Sequence, residues 1–135
     1  MGDSKKEVAF MPGVTHKPEG QYPHPSPVHA LNLDDEADRL VAELKGAGHA
    51  SRSLAREAGV SLVLMALEGG DAVREHSTAG ATSIHVLRGH AAIGSAGQVW
   101  DCLPGDVLFF QPDVRHDIAA QEQTVVLLTI TGAQA

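Results

Sequence analysis

From residue 49 to residue 131 the chain is a succession of short β-branched and aliphatic runs, each stopped by a glycine- or proline-bearing turn. That punctuation leaves no room for long helices or for the long crossovers that parallel strands need. Strands are predicted at 51–56, 60–67, 72–76, 82–88, 91–94, 99–103, 107–111, 116–120 and 124–131. The turn signals between them are EAG, EGG, TAG, RG, SAGQ, LPG, PDV and QEQ. Strands at this regular spacing predict an all-β sandwich or barrel.

Ahead of the strands lies one amphipathic segment, LDDEADRLVAELKGAG. Ala37, Leu40, Val41 and Leu44 repeat at helical spacing on one face, so a helix is predicted over about 34–46. Asp34 or Asp35 is expected to cap it, and Gly46 and Gly48 to stop it. The polar face carries no reactive cluster, so the helix is expected to pack on the domain. With 135 residues, 43% of them hydrophobic and only 4% aromatic, one aliphatic core is expected, in a domain spanning 31–135.

Residues 1–30 differ in kind. They hold five of the seven prolines, and proline neither donates to a ladder nor lets its predecessor enter a helix. An extended arm is predicted. His16, His24 and His29 lie on it at spacings that match no compact ligand pattern, which favours solvated side chains. A net charge of −7 speaks against nucleic acid or an anionic membrane as partner. The first ten residues lack the apolar core of a secretory signal, and the longest apolar run, 60–67, is too short to span a bilayer. A single cysteine, Cys102, excludes an internal disulfide and fits a reducing compartment, so a cytoplasmic location is expected.

Two stretches carry a family resemblance. Gly70 is followed after five residues by His76, and Gly89 closes the same segment; Gly105 and His116 are spaced by eleven in GDVLFFQPDVRH. Over about 58–131 the chain resembles the cupin superfamily, small RmlC-like barrels whose first motif is G-x5-H-x-H-x3,4-E-x6-G and whose second is G-x5-P-x-G-x2-H-x3-N. The resemblance implies a double-stranded β-helix, or jelly-roll barrel, to which the predicted N-terminal helix and extended arm are added. The interior of the motifs departs from the pattern. Thr78 and Thr82 stand where the second histidine and the glutamate belong, while Gln111, Asp113 and Ala120 replace the proline, glycine and asparagine.

In metal-binding members of that superfamily, three histidines and a carboxylate converge inside the barrel. The resemblance therefore implies that His76 and His116 face a shared cavity and could hold Fe, Mn, Ni, Cu or Zn, with water completing an incomplete shell. His85 is a candidate third ligand. Strand alternation points it outward with Ser83 and Leu87, and only a bulge near Gly80 would aim it at His76. Thr78, Thr82, Ile84 and Val86 are expected to line the substrate pocket, with Gln111 and Arg115 at its rim. Arg115 could pair with a carboxylate ligand or with Asp113.

His90 and His49 are expected at the surface. Trp100 is expected in the core, although it could stack on a planar ligand. Cys102 has no neighbouring base to activate it and reads as a buried thiol. Two functions follow. One is a metal-dependent enzyme of dioxygenase, isomerase or decarboxylase type built on His76 and His116. The other is a metal-free barrel binding a small-molecule ligand as sensor, carrier or accessory subunit. A homodimer is expected, pairing through the outer face that holds Ser83, His85 and Leu87.

Overall fold

The computed structural model describes residues 27–132, with Glu75 and His76 described by backbone alone. Helix α1 (Leu33–Ala42) precedes nine strands: β1 (His49–Glu57), β2 (Val60–Leu67), β3 (Ala72–His76), β4 (Thr82–Arg88), β5 (Ala91–Ser95), β6 (Gln98–Cys102), β7 (Val107–Phe110), β8 (His116–Ala120) and β9 (Thr124–Thr131). They form a five-stranded sheet in the order β1-β2-β9-β4-β7 and a four-stranded sheet in the order β3-β8-β5-β6. Every strand pair is antiparallel. The all-β jelly roll expected from the sequence is the architecture observed. Of the expected arm, His16 and His24 lie outside the described residues; His29 meets Glu57, at the end of β1, at 3.0 Å.

Alternation along the strands sorts side chains between two cores. Leu67, Ile84, Val86, Ala91, Ile93, Cys102, Ile118, Ala120, Val126 and Leu128 fill the space between the sheets. Their intervening neighbours point the other way. Leu64, Ala66 and Val125 leave the outer face of the larger sheet and meet Ala37, Leu40 and Leu44 of α1, with Leu87 and Leu127 at the border. β2 and β9 are therefore apolar on both faces, one against the smaller sheet and one under the helix.

The helix differs from expectation at both ends. Asn32, not an aspartate, is the cap: its side chain accepts a hydrogen bond from the Asp35 amide at 2.9 Å. Regular helix ends at Ala42 rather than residue 46, because the amides of Glu43 and Leu44 turn back to the carbonyls of Leu40 and Val41 and the chain then enters positive φ at Lys45 and Gly46. On its buried side Glu36 meets Arg39 at 2.6 Å and Arg52 of β1 at 3.4 Å, and Arg52 also bonds Glu43. That network ties the polar edge of the helix to the first strand, which spacing alone did not foreshadow.

Two tight hairpins carry a local conflict. The loop joining β1 to β2 places Ala58 at φ 54° and Gly59 at φ 82°; the loop joining β5 to β6 places Ala96 at φ 53° and Gly97 at φ 79°. A two-residue hairpin loop with both φ values positive matches the twist of the strands, but a Cβ in left-handed geometry clashes with the following carbonyl. Asparagine tolerates that geometry far better than alanine. Ala58→Asn and Ala96→Asn are each expected to raise unfolding stability by about 0.5–1 kcal/mol, read as a higher denaturant midpoint with unchanged slope. Cys102 lies in the inter-sheet core, and burial pushes its thiol pKa up, with the Asp106 and Asp101 carboxylates adding to the shift. The thiol therefore stays neutral at physiological pH, and alkylation of the native protein is expected to run about 100-fold slower than after unfolding.

Candidate functional site

Register assigns the inward-facing side chains at one end of the barrel. On the larger sheet Thr82 of β4 pairs with both Ile130 of β9 and Phe110 of β7, so these three share a row on the inner face. On the smaller sheet His76 of β3 pairs with His116 of β8, and Ser95 of β5 pairs with Gln98 of β6. The adjoining rows are apolar: Leu128, Ile84 and Leu108 on one sheet, Ile118 and Ile93 on the other. One end of the interior is thus polar and the rest aliphatic.

His116 is the buried imidazole of that end, 3% exposed, and it stacks on Phe110 with ring centroids 4.6 Å apart and planes 24° from parallel. Its Nδ1 lies 3.2 Å from the Val114 carbonyl, which can only accept. Nδ1 therefore carries the proton in the neutral ring, and Nε2 is the nitrogen with a lone pair. The backbone register sets His76 directly beside His116, while the His76 side chain lies outside the described residues.

On the facing sheet, Thr82 is fully buried and its hydroxyl meets that of Thr78 at 2.7 Å; the Thr78 hydroxyl in turn donates to the Gly80 carbonyl at 2.8 Å. The loop that holds this pair is fixed from both sides. A Cβ on Gly80 would fall 1.4 Å from the Thr131 carbonyl oxygen, so no other residue fits there. The Asp113 amide donates to the Thr78 carbonyl at 2.8 Å, from a residue held at φ 66°. Asp113 occupies the glycine position of the second motif, and the positive φ is the physical reason a glycine suits it; aspartate is among the few residues that tolerate it.

Several sequence expectations find a different place. His85 stands on the outer face of β4: Ile84 and Val86 on either side point into the inter-sheet core, and its register partner Leu127 belongs to the helix side. The irregularity in β4 lies between Val86 and Arg88, beyond His85, so no bulge at Gly80 turns the ring inward. The structure does not bring His85 together with His116. Ile84 and Val86 face inward but are sealed in the core rather than lining an open pocket. Gln111 is exposed on the turn after β7.

Arg115 lines a hollow of about 390 Å³ formed by residues 94–99 and 115–117. The same hollow takes in Ser95 and His116, both buried, so it opens beside the polar end of the barrel. Trp100, expected in the core, is 40% exposed because β6 is an edge strand. Among residues that sequence reading passed over, Ser95 is buried and donates to the Arg115 carbonyl at 2.7 Å, holding the chain just ahead of His116. Phe110 is the ring that positions the imidazole.

The described residues do not form a metal centre. Among them no group of three or more His, Cys, Asp or Glu converges, and the two threonines at the family's ligand positions are neutral hydroxyls already bonded to each other. His49 and His90 serve surface pairs instead, with Asp71 at 2.6 Å and Asp101 at 2.5 Å. Among the described residues no helix is long and apolar enough to cross a membrane.

Comparison with known proteins agrees with this geometry at the level of fold. The family described as AraC-like ligand binding domain matches residues 66–132. A cupin superfamily protein from Desulfitobacterium hafniense is 25% identical, with 83% of this chain and 95% of that one covered at a TM-score of 0.67. An RmlC-like cupin from Shewanella frigidimarina is 19% identical over 67% of this chain and 81% of that one, TM-score 0.61. A variant of salicylate 1,2-dioxygenase from Pseudoaminobacter salicylatoxidans is 18% identical over 84% of this chain but only 38% of that one, TM-score 0.67. No curated protein matches. The two-sheet barrel, the spaced glycines and the buried His116 at its polar end are those of a cupin, and the chain belongs to the cupin superfamily.

Proposed function

We propose that this cupin binds a small molecule in its barrel without needing a metal, as a sensor, carrier or accessory subunit. The observation that carries the reading is the Thr78–Thr82 pair. Its hydroxyls satisfy each other and the Gly80 carbonyl, so the positions from which the superfamily can supply a histidine and a carboxylate present no charge to a cation. A dication needs anionic or strongly donating ligands to offset its lost hydration, and a mutually bonded hydroxyl pair offers neither. The match to a ligand-binding family supports the same reading.

A second reading rests on a different observation. The backbone register sets His76 beside His116 on adjacent strands, and the Val114 carbonyl holds His116 in the tautomer whose Nε2 can coordinate. On that reading His76 and His116 would hold Fe, Mn, Ni, Cu or Zn with water filling the shell. The metal would act as a Lewis acid or oxygen-activating centre in a dioxygenase, isomerase or decarboxylase. His116 and Phe110 would then fix the direction of coordination, and the apolar rows behind them would limit water.

The homodimer belongs to the same proposal with one change of residues. Leu87 borders the helix-side cluster, so the available outer face is Ser83 and His85 of β4 with Val107 and Phe109 of β7, the last two 56% and 68% exposed. Sedimentation velocity reads the resulting mass directly.

Metal content and ligand response separate the two functions. Protein purified without a histidine tag is expected to hold less than about 0.1 equivalent of any transition metal, a level far below that of a tight site. A ligand found by thermal screening is expected to raise the unfolding midpoint by roughly 10 °C at a hundredfold excess over its Kd, and to do so equally in EDTA. Stoichiometric metal, together with loss of every thermal shift on chelation, would instead establish the metal-dependent reading.

A further inference from the structure

We propose that residues 8–14 of this chain, VAFMPGV, dock along β6 as an added strand at the edge of the smaller sheet. β6 ends that sheet, so among the described residues one side of its backbone has no neighbouring strand. Proteins blunt such an edge with charge, proline or a covering segment, because its open amides and carbonyls recruit other strands. β6 carries apolar surface there. Val99 is 71% exposed, Trp100 40% and Leu103, just beyond the strand, 52%.

The two faces of β6 select the partner. Trp100 pairs with the core residue Ile93, so it is directed toward the space between the sheets, and Val99, paired with Gly94, stands on the other face. A strand laid beside them meets apolar surface on both of its own faces, which a strand of alternating polarity does not match. Val8–Met11 does match it, since Val8 and Phe10 share one face and Ala9 and Met11 the other. Pro12 then ends the pairing. Val99 also lines the hollow of about 390 Å³, where Gly94 contributes no side chain, so a side chain of the added strand has space beside it.

Reach and charge fit an occupant from the same chain. His29 meets Glu57 at the end of β1, which lies at the opposite edge of the larger sheet from β7. Residues 15–26 extend to about 40 Å. Crossing from β1 to β7 takes roughly 19 Å, and the facing sheet is about 10 Å away, so the tether suffices. Such a tether keeps the segment at an effective concentration on the order of millimolar near its own edge. Residues 1–26 balance Lys5, Lys6 and Lys17 against Asp3, Glu7 and Glu19, so the net charge of −7 lies wholly in 27–135. VAFMPGV is itself uncharged and meets no repulsion from that surface. Lys5 and Lys6, just ahead of it, bring positive charge to a strip bordered by Asp101, Asp106 and Asp117, the first of which also meets His90.

Trp100 is the single tryptophan of the chain, so its emission reports on this edge. In the full chain, Phe10→Ser combined with Met11→Ser is expected to shift that emission to the red and to raise its quenching by acrylamide at least about twofold, as the ring loses apolar cover. Val99→Lys, at an exposed position, is expected to release the segment from the other side, read as changed amide ¹H–¹⁵N shifts at residues 8–11. A nitroxide on Thr15→Cys tells which molecule supplies the segment. It is expected to broaden the β6 amides when nitroxide and ¹⁵N share a chain, and to leave them sharp when ¹⁵N-labelled and spin-labelled chains are mixed. Equal broadening in the mixture would overturn the assignment to the same chain. Unchanged emission and quenching in the double variant, with β6 amides sharp in both nitroxide samples, would overturn docking altogether.

Discussion

The register of β4 between β7 and β9 is the constraint on which the rest of the structure depends. Because side chains alternate strictly, fixing Thr82 opposite Phe110 and Ile130 sends Thr82, Ile84 and Val86 into the barrel and Ser83, His85 and Leu87 out of it. One residue of slip would exchange those sets, placing His85 in the core and Ile84 in water. Burying Ile84 and Val86 is worth about 1.5–3 kcal/mol for each side chain, while an unpaired imidazole in the same place would cost free energy, so the register is strongly specified. The seat of α1 follows from it as well, since Leu87 and Leu127 reach the helix only in this parity.

Most of the fold was legible because it depends on short-range signals of this kind. The strands at 60–67, 72–76, 82–88, 116–120 and 124–131 have the bounds that turn residues and alternation indicate. Gly89 marks its turn with a physical demand: it sits at φ 90°, and a Cβ there would come within 2.2 Å of the Gln123 carbonyl oxygen. The helix was legible in its apolar face but not in its ends. Its cap depends on whether Asn32 or an aspartate adopts the extended backbone that lets a side chain reach back to an amide, and that choice is set by how the preceding residues approach the sheet.

The site was legible only in part, for a different reason. His116 and Thr82 stand out through motif spacing and strand parity, which are local. Ser95 and Phe110 do not, since their roles come from contacts with Arg115 and His116 across strands that are distant in sequence. Arg115 is an intermediate case. Its place next to His116 suggests a pocket rim, and it lines the hollow that also takes in His116, but the other walls of that hollow come from the β5–β6 hairpin, distant in sequence. Trp100 shares a face with Cys102, but β6 ends its sheet, so only one of the two is enclosed. Which strand lies at an edge is decided by topology, not by the strand's own residues.

The threonine pair shows how a barrel can keep its architecture while changing its chemistry. A histidine or glutamate at position 78 or 82 would bring a group that must be paired, charged or coordinated once it is buried. A hydroxyl at each position removes that demand, because each is small enough for the two to meet at 2.7 Å and close the loop onto Gly80. The same bond then does structural work: Thr78 is held to Asp113 through its carbonyl and to Thr82 through its side chain, which links the loop before β4 to the loop before β8. Positions that elsewhere in the superfamily can serve a metal serve here to join the two halves of the barrel mouth. His116 is left as the buried imidazole of that end among the described residues, held by the Phe110 ring and the Val114 carbonyl.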